Sequence, residues 1–133
     1  MEQRLATIDL VIEGDLAWKH VNGACFLVES VAAEAPRAES FEISASGPMF
    51  GSRMKQPAGA VFAMEQRILE DEGVRCVDFD LGSGLRMEGE RRPLRVPLEN
   101  VAWRVEGDIL LLEFSLPKGS YATSMVREIT KTF

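Results

Sequence analysis

The run LPKGSYATSMVREI, Leu116 to Ile129, sets Lys118, Gly119, Ser120 and Tyr121 in consecutive positions directly ahead of an amphipathic helical pattern. A Gly-Ser pair at a helix start leaves backbone N–H groups pointing outward, and the helix end carries about half a unit of positive charge. With a lysine and an aromatic ring beside those amides, an anion and a flat base could rest there together. The plainer reading is a capped helix whose tyrosine ring packs over a loop. The residues alone leave both open.

Other chemistry has less to stand on. His20 is the single histidine, and no Asp/Glu cluster has the spacing of a calcium loop or a zinc-binding helix, so no metal is expected. Cys25 and Cys76 lack a CxxC spacing and read as small core residues in a reducing compartment. Asp78 and Asp80 in DFDLGSG would share a face if extended, but nothing nearby supplies burial that would raise a carboxyl pKa; solvated carboxylates are expected. The Gly82-Ser83-Gly84 turn lacks the Lys-Ser/Thr ending of a phosphate loop, and no serine sits in a nucleophile elbow. No cofactor is expected.

The elements that must carry the Lys118–Tyr121 turn can be sketched from periodicity. Ile8, Leu10 and Ile12 alternate as a half-buried strand would, residues 24–30 supply a second, and Asn22-Gly23 between them is a hairpin signal. Pro36 breaks the next segment, which reads as an irregular connection ending in a short strand at Phe41–Ile43, and GPMFGSRMKQPAG has the density of a long loop. A helix is expected from about Ala58 to Glu72, with Val61, Met64 or Glu65, Ile68 and Leu69 inward and Gly73 just past its end. Two or three strands follow, turning at Gly107-Asp108, and the apolar run Ile109–Phe114 reads as a strand buried on both faces. Ser120 is the expected N-cap of a last helix that turns Ala122, Met125, Val126 and Ile129 inward. The expected fold class is therefore α+β: mixed, mainly antiparallel sheet elements with two principal helices.

At 133 residues, 46% hydrophobic and 27% charged, the chain suits one domain or a sizeable piece of a larger one. No segment approaches the ~20 apolar residues of a membrane span, and no signal-peptide pattern opens the chain, so a cytoplasmic location is expected. The net charge of −6 hides an asymmetry: residues 1–90 hold eight Lys and Arg against sixteen Asp and Glu, and residues 91–133 hold seven against five. Phosphate contacts would sit most easily in that basic tail.

At the terminal turn the sequence resembles a known family. FSLPKGSYATSMVREI is similar to the C-terminal signature of the TruD family of tRNA pseudouridine synthases: a strand ending in Leu-Pro-x-Gly-Ser, an aromatic, Ala-Thr, then a helix with Arg-Glu. Upstream, Gly14-Asp15, the Glu34-x-x-Arg37 segment and the Gly47–Gly51 loop resemble the family's inserted region, and ERRPLRVPLENVAWRVEGDILLLEF its link to the last strands. The resemblance implies isomerisation of a specific uridine in tRNA to its C-glycoside, without metal or organic cofactor, by an aspartate in a Gly-x-Lys-Asp-Arg motif. Neither that motif nor the family's Gln-Arg-Phe-Gly occurs here. The chain is thus expected to be a fragment of a two-module enzyme: residues 1–88 part of the inserted domain, residues 89–133 the C-terminal strands and helix of the catalytic domain.

The resemblance further implies that Tyr121 lines the cleft beside the target uracil, with Lys118, Gly119 and Ser120 supporting the RNA, and that no catalytic residue lies in this chain. The expected partners are tRNA and the missing N-terminal half of the same enzyme, with no membrane. Self-association through an exposed strand edge at Ile109–Phe114 is expected when that half is absent. A non-catalytic RNA-binding or interaction module built on the same fold is the alternative.

Overall fold

Asn22-Gly23 turns the chain as its residue types dictate. Gly23 takes φ +72°, Ala24 N–H donates to Asn22 Oδ1 at 3.0 Å, and strands β1 (Leu16–Lys19) and β2 (Cys25–Leu27) run antiparallel with Trp18 opposite Cys25. The computed structural model describes residues 2–131; Met1 and residues 132–133, the extremes of the two expected portions, lie outside the described residues. The chain divides into two compact units, Met1–Arg95 and Val96–Phe133.

In the first unit β3 (Ile43–Met49) pairs with the other side of β1, and β4 (Glu90–Pro93) pairs with β3, giving an antiparallel sheet of order β2-β1-β3-β4. Side chains alternate across a sheet. One face carries Ala17, Ile43 and Ala45, sealed with Val11, Val28 and Ala38 into the hydrophobic core. The opposite face carries Leu16, Trp18, Ser44 and Ser46, and there the chemistry turns polar.

Helix α2 (Gly59–Asp71) falls where the sequence places it, with Val61, Glu65 and Leu69 buried along one stripe. Gly73 at φ +66° closes it: Gly73 N–H donates to Glu70 O and Val74 N–H to Leu69 O, the paired bonds of a Schellman end. Glu65 is the exception on an apolar stripe. Its two oxygens accept from Arg91 Nη1 and Nη2 at 2.9 and 2.8 Å, and Arg91 also donates to Ser46 O at 2.8 Å, so one guanidinium ties α2 to β3 and β4. A second buried pair, Arg4 to Asp15 at 2.6 and 3.1 Å, fixes the N-terminal 3₁₀ turn (Glu2–Thr7) against the entry to β1.

Several expectations are corrected. Residues 8–9 form a turn and residues 10–12 are irregular, and Val11, of the opposite parity to Ile8, Leu10 and Ile12, is the core residue while Leu10 is half exposed. Asp15 accepts from Ile12 N–H as well as from Arg4, so the chain bends there and enters the sheet only afterwards. The connection containing Pro36 is helix α1 (Val31–Glu39), which makes three α-helices among the described residues where two principal ones were expected. Proline removes one internal bond, and Arg37 offsets it by pairing with Glu34 and Glu42, each at 2.6 Å. This helix too ends in a Schellman pattern, but with Phe41 at φ +58° in the position that favours glycine. The Arg95 guanidinium stacked 4.1 Å above the Phe41 ring holds it there. Finally, Gly47 and Pro48 belong to β3; the loop proper begins after Met49 and is pinned where Gly51 meets Gly89. A Cβ on Gly51 would lie 2.1 Å from Gly89 N, so two backbones touch directly.

The second unit is a hairpin and a helix. β5 (Glu99–Glu106) and β6 (Ile109–Ser115) pair antiparallel through the expected Gly107-Asp108 turn, with a bulge between Glu99 and Ala102. Trp103, Val105, Leu110 and Leu112 share one face, Trp103 opposite Leu112 and Val105 opposite Leu110. The expected burial of Ile109–Phe114 on both faces is not found: Ile109 is 61% and Leu110 47% exposed. A continuous apolar run reports what a strand can bury, and two strands alone provide no covering layer. The same holds for α3 (Ala122–Thr130), where Val126 and Ile129 are each 46% exposed and Met125 is half-buried.

Glu65→Leu or Arg91→Met alone should lower stability by about 3–5 kcal/mol, because each strands a buried charge. The double variant should recover most of that loss. Urea-unfolding midpoints check it, and equal midpoints for the single and double variants would refute the pairing as the dominant effect.

Candidate nucleic-acid interface

After β6 the chain turns sharply. Ser120 N–H donates to Pro117 O at 3.1 Å, and Gly119 at φ +88° occupies the third position of that turn, where a type II geometry needs a residue free of a Cβ. Lys118 and Gly119 are exposed and Ser120 is half-buried. Tyr121 follows in extended backbone, φ −114° and ψ 123°, and is 73% exposed. The four residues the sequence singles out are therefore contiguous in space, with the ring and the lysine both open to solvent.

One detail differs from expectation. The N-cap of α3 is Tyr121, without a side-chain capping bond, and Ser120 lies one residue before it. Ser124 N–H donates to Tyr121 O at 3.1 Å, which leaves the amides of Ala122 and Thr123 for an outside acceptor or water. Arg127 forms no ion pair among the described residues; Glu128 pairs with Lys131 at 3.2 Å instead.

The remaining groups considered for chemistry are occupied structurally. Asp78 and Asp80 are exposed and each held by its own arginine, Arg75 at 2.8 Å and Arg86 at 3.2 Å. The Arg75 side chain, with the Arg75 backbone N–H, keeps the Asp78 carboxyl below its usual range, which suits an ion and not a general acid. His20 Nε2 lies 2.8 Å from Ser44 Oγ, but Ser44 is fully buried and offers no path to a substrate. Burial first, then the charge of Arg95, lowers the basicity of His20, so the imidazole is held neutral. Among the described residues no group of three potential metal ligands converges, and no helix is long and apolar enough to cross a membrane.

A second feature was invisible in the sequence. On the Trp18 face of the first sheet lies an open cleft of about 330 Å³, bordered by Trp18, Cys25, Arg53, Lys55, Glu90 and Arg91. Its residues come from four separated segments. Only Glu65, an acid on an apolar helix stripe, hinted that a cation from elsewhere must reach this region.

Residues 1–129 match the family described as tRNA pseudouridine synthase D (TruD). The chain belongs to the TruD family. Proteins named tRNA pseudouridine synthase D are similar to it throughout: that of Geobacter metallireducens is 62% identical over 98% of this chain, that of Geotalea daltonii 60% over 99%, and that of Thermus thermophilus 43% over 98%. This TruD-family chain spans about a third of the length of those curated relatives, 32%, 33% and 35% respectively. A solved Methanosarcina mazei structure bearing the TruD name shares its fold, with a TM-score of 0.79 at 23% identity over 98% of this chain and 33% of that one.

Within the TruD-family chain, burial pushes the Cys25 thiol up, against smaller opposing pulls from Arg91, Lys55 and a Ser46 hydrogen bond. Both cysteines are unpaired and half-buried, so the core placement expected of them is only partly met. Because the thiolate is the nucleophile, a Cys76→Ser variant should alkylate slowly at neutral pH, with a rate midpoint higher in the folded chain than in urea. By the same shift, the contribution of Cys25 to stability is present below the free thiol's pKa and lost as pH rises through the folded one. Iodoacetamide kinetics against pH check this; a folded midpoint at or below the unfolded one would contradict it.

Proposed function

We propose that this chain is the C-terminal portion of a tRNA pseudouridine synthase and supplies RNA binding and one wall of the uracil pocket, while the nucleophilic aspartate comes from polypeptide outside this sequence. The observation that carries the reading is Tyr121: an aromatic ring 73% exposed at the mouth of a helix, behind a Lys-Gly turn. Residues 1–88 are assigned to the inserted domain and residues 89–133 to the catalytic domain, although β4 packs with the first of the two compact units. The site of action is the cytoplasm, where the tRNA is.

Isomerisation of uridine to pseudouridine breaks the C1′–N1 bond and forms a C1′–C5 bond; C5 gives up its proton and N1 takes one up, so there is no net change in atoms or oxidation state. The uracil must leave the stack, stay in the pocket between the two events, and turn. Extruding a base costs a few kcal/mol, and a stacking aromatic can return about 1–3 kcal/mol of it. A ring face makes no directional bond, so Tyr121 can retain the base while leaving it free to rotate. Lys118 and the open amides of Ala122 and Thr123 face negative charge favourably, as the phosphates flanking an extruded nucleotide would require.

The exposed apolar faces support a missing partner. Trp103, Val105 and Leu110 on the hairpin, with Val126 and Ile129 on α3, are between 46% and 70% exposed, and apolar side chains bared together mark a surface that another polypeptide covers. We assign them to contact with the rest of the enzyme. The non-catalytic RNA-binding alternative has no feature of its own in its favour.

Tritium release from tRNA labelled at uracil C5 tests the assignment. The chain alone should show no turnover, and adding the polypeptide that bears Gly-x-Lys-Asp-Arg should restore it. Tyr121→Ala should then cut the restored rate by at least about tenfold, roughly 1.4 kcal/mol of transition-state stabilisation, while Tyr121→Phe retains most activity and neither changes the thermal midpoint. Turnover by the chain alone would overturn the division of labour; tRNA binding that gains nothing from complementation would favour the alternative. Alone, the chain should also self-associate in sedimentation, and a clean monomer would count against the covered-face assignment.

A further inference from the structure

We propose that the cleft beside Trp18 is a second RNA-contact site, built to hold one unstacked nucleotide of a single strand with its base against the indole and its flanking phosphates on Arg53 and Lys55. Choosing RNA among polyanions rests on the function proposed above; the geometry is independent of it, since the cleft lies wholly within the first compact unit and Tyr121 within the second.

The indole is prepared as a platform. A Cβ on Gly23 would lie 3.0 Å from Trp18 Cζ2 and 3.3 Å from Cη2, so the hairpin turn lies close against the ring and a side chain there would push the indole. Trp18 is half-buried and borders a volume of about 330 Å³, room for a nucleobase at the small end of ligand sites.

The charge around it is arranged for an anion. The guanidinium of Arg53 is exposed and has no hydrogen-bond or ion-pair partner among the described residues, unlike the neighbouring Arg91, which is consumed by Glu65. Lys55 is exposed and spends one donor on Cys25 O at 2.9 Å, keeping its charge and two further N–H groups. The one carboxylate at the rim, Glu90, is paired with Arg92 at 2.5 Å. In a region of the chain where acids outnumber bases two to one, sixteen to eight over residues 1–90, this opening is locally positive. An aromatic platform next to two unneutralised cations is the combination that grips single strands without reading sequence.

The full chain carrying Trp103→Phe has Trp18 as its only tryptophan. Titration with a short oligouridylate should quench Trp18 emission, with a log–log salt slope near about −1.4, the value for two phosphates on a single strand. Arg53→Ala/Lys55→Ala, both at exposed positions, should weaken binding by about tenfold and flatten that slope. Trp18→Leu should weaken binding of dye-labelled RNA, read by anisotropy, and Tyr121→Ala should leave the quenching unchanged. Anisotropy showing bound RNA without quenching, no binding at low salt, or equal quenching by polyglutamate would each overturn the proposal. Quenching intact with complementation failed would sink the enzyme assignment alone; complementation intact with quenching absent would sink the cleft alone.

Discussion

The bidentate contact between Glu65 and Arg91, buried on both sides, is the constraint on which the first unit depends. A guanidinium taken out of water is tolerated only when it is paired and hydrogen-bonded, and here Glu65, Ser46 O and Ser46 Oγ accept from four of its five N–H groups. That requirement fixes the azimuth of α2 about its axis, the pairing of β4 with β3, and the inward turn of the Ser46 side of the sheet. An apolar pair of similar volume would pack as well but would not demand a single register. Arg4 and Asp15 apply the same logic at the chain's entry to β1.

Elements governed by local rules were legible in the sequence. Helix α2, its closing Gly73 and the hairpin turns at Asn22-Gly23 and Gly107-Asp108 are each written in a few adjacent residues. Helix α1 was not, because Pro36 signals a break while the ion pairs of Arg37 that compensate for it reach across to Glu42, beyond the helix. The alternation of Ile8, Leu10 and Ile12 was genuine but decided nothing; the hydrogen bonds that Asp15 accepts from Ile12 N–H and from Arg4, eleven residues away, set which residue faces inward.

The two binding features differ in the same way. Lys118 through Tyr121 are consecutive, so their juxtaposition could be read directly, and only the capping residue shifted by one. The Trp18 cleft joins residues as far apart as Trp18 and Arg91, and no periodicity reports such a meeting. Burial of Ile109–Phe114 was misjudged for a related reason. Composition tells how apolar a strand is, and the layer that covers it is a property of other residues.

Gly51 and Gly89 touch backbone to backbone beneath the loop that carries Arg53 and Lys55. No residue is smaller than glycine, so mutation at either position can only wedge the loop away from β4, where Glu90 and Arg91 begin. The gauge of the opening is therefore a floor value: drift can loosen it but has no step available that tightens it, and any tuning of what fits must come from the side chains along its rim.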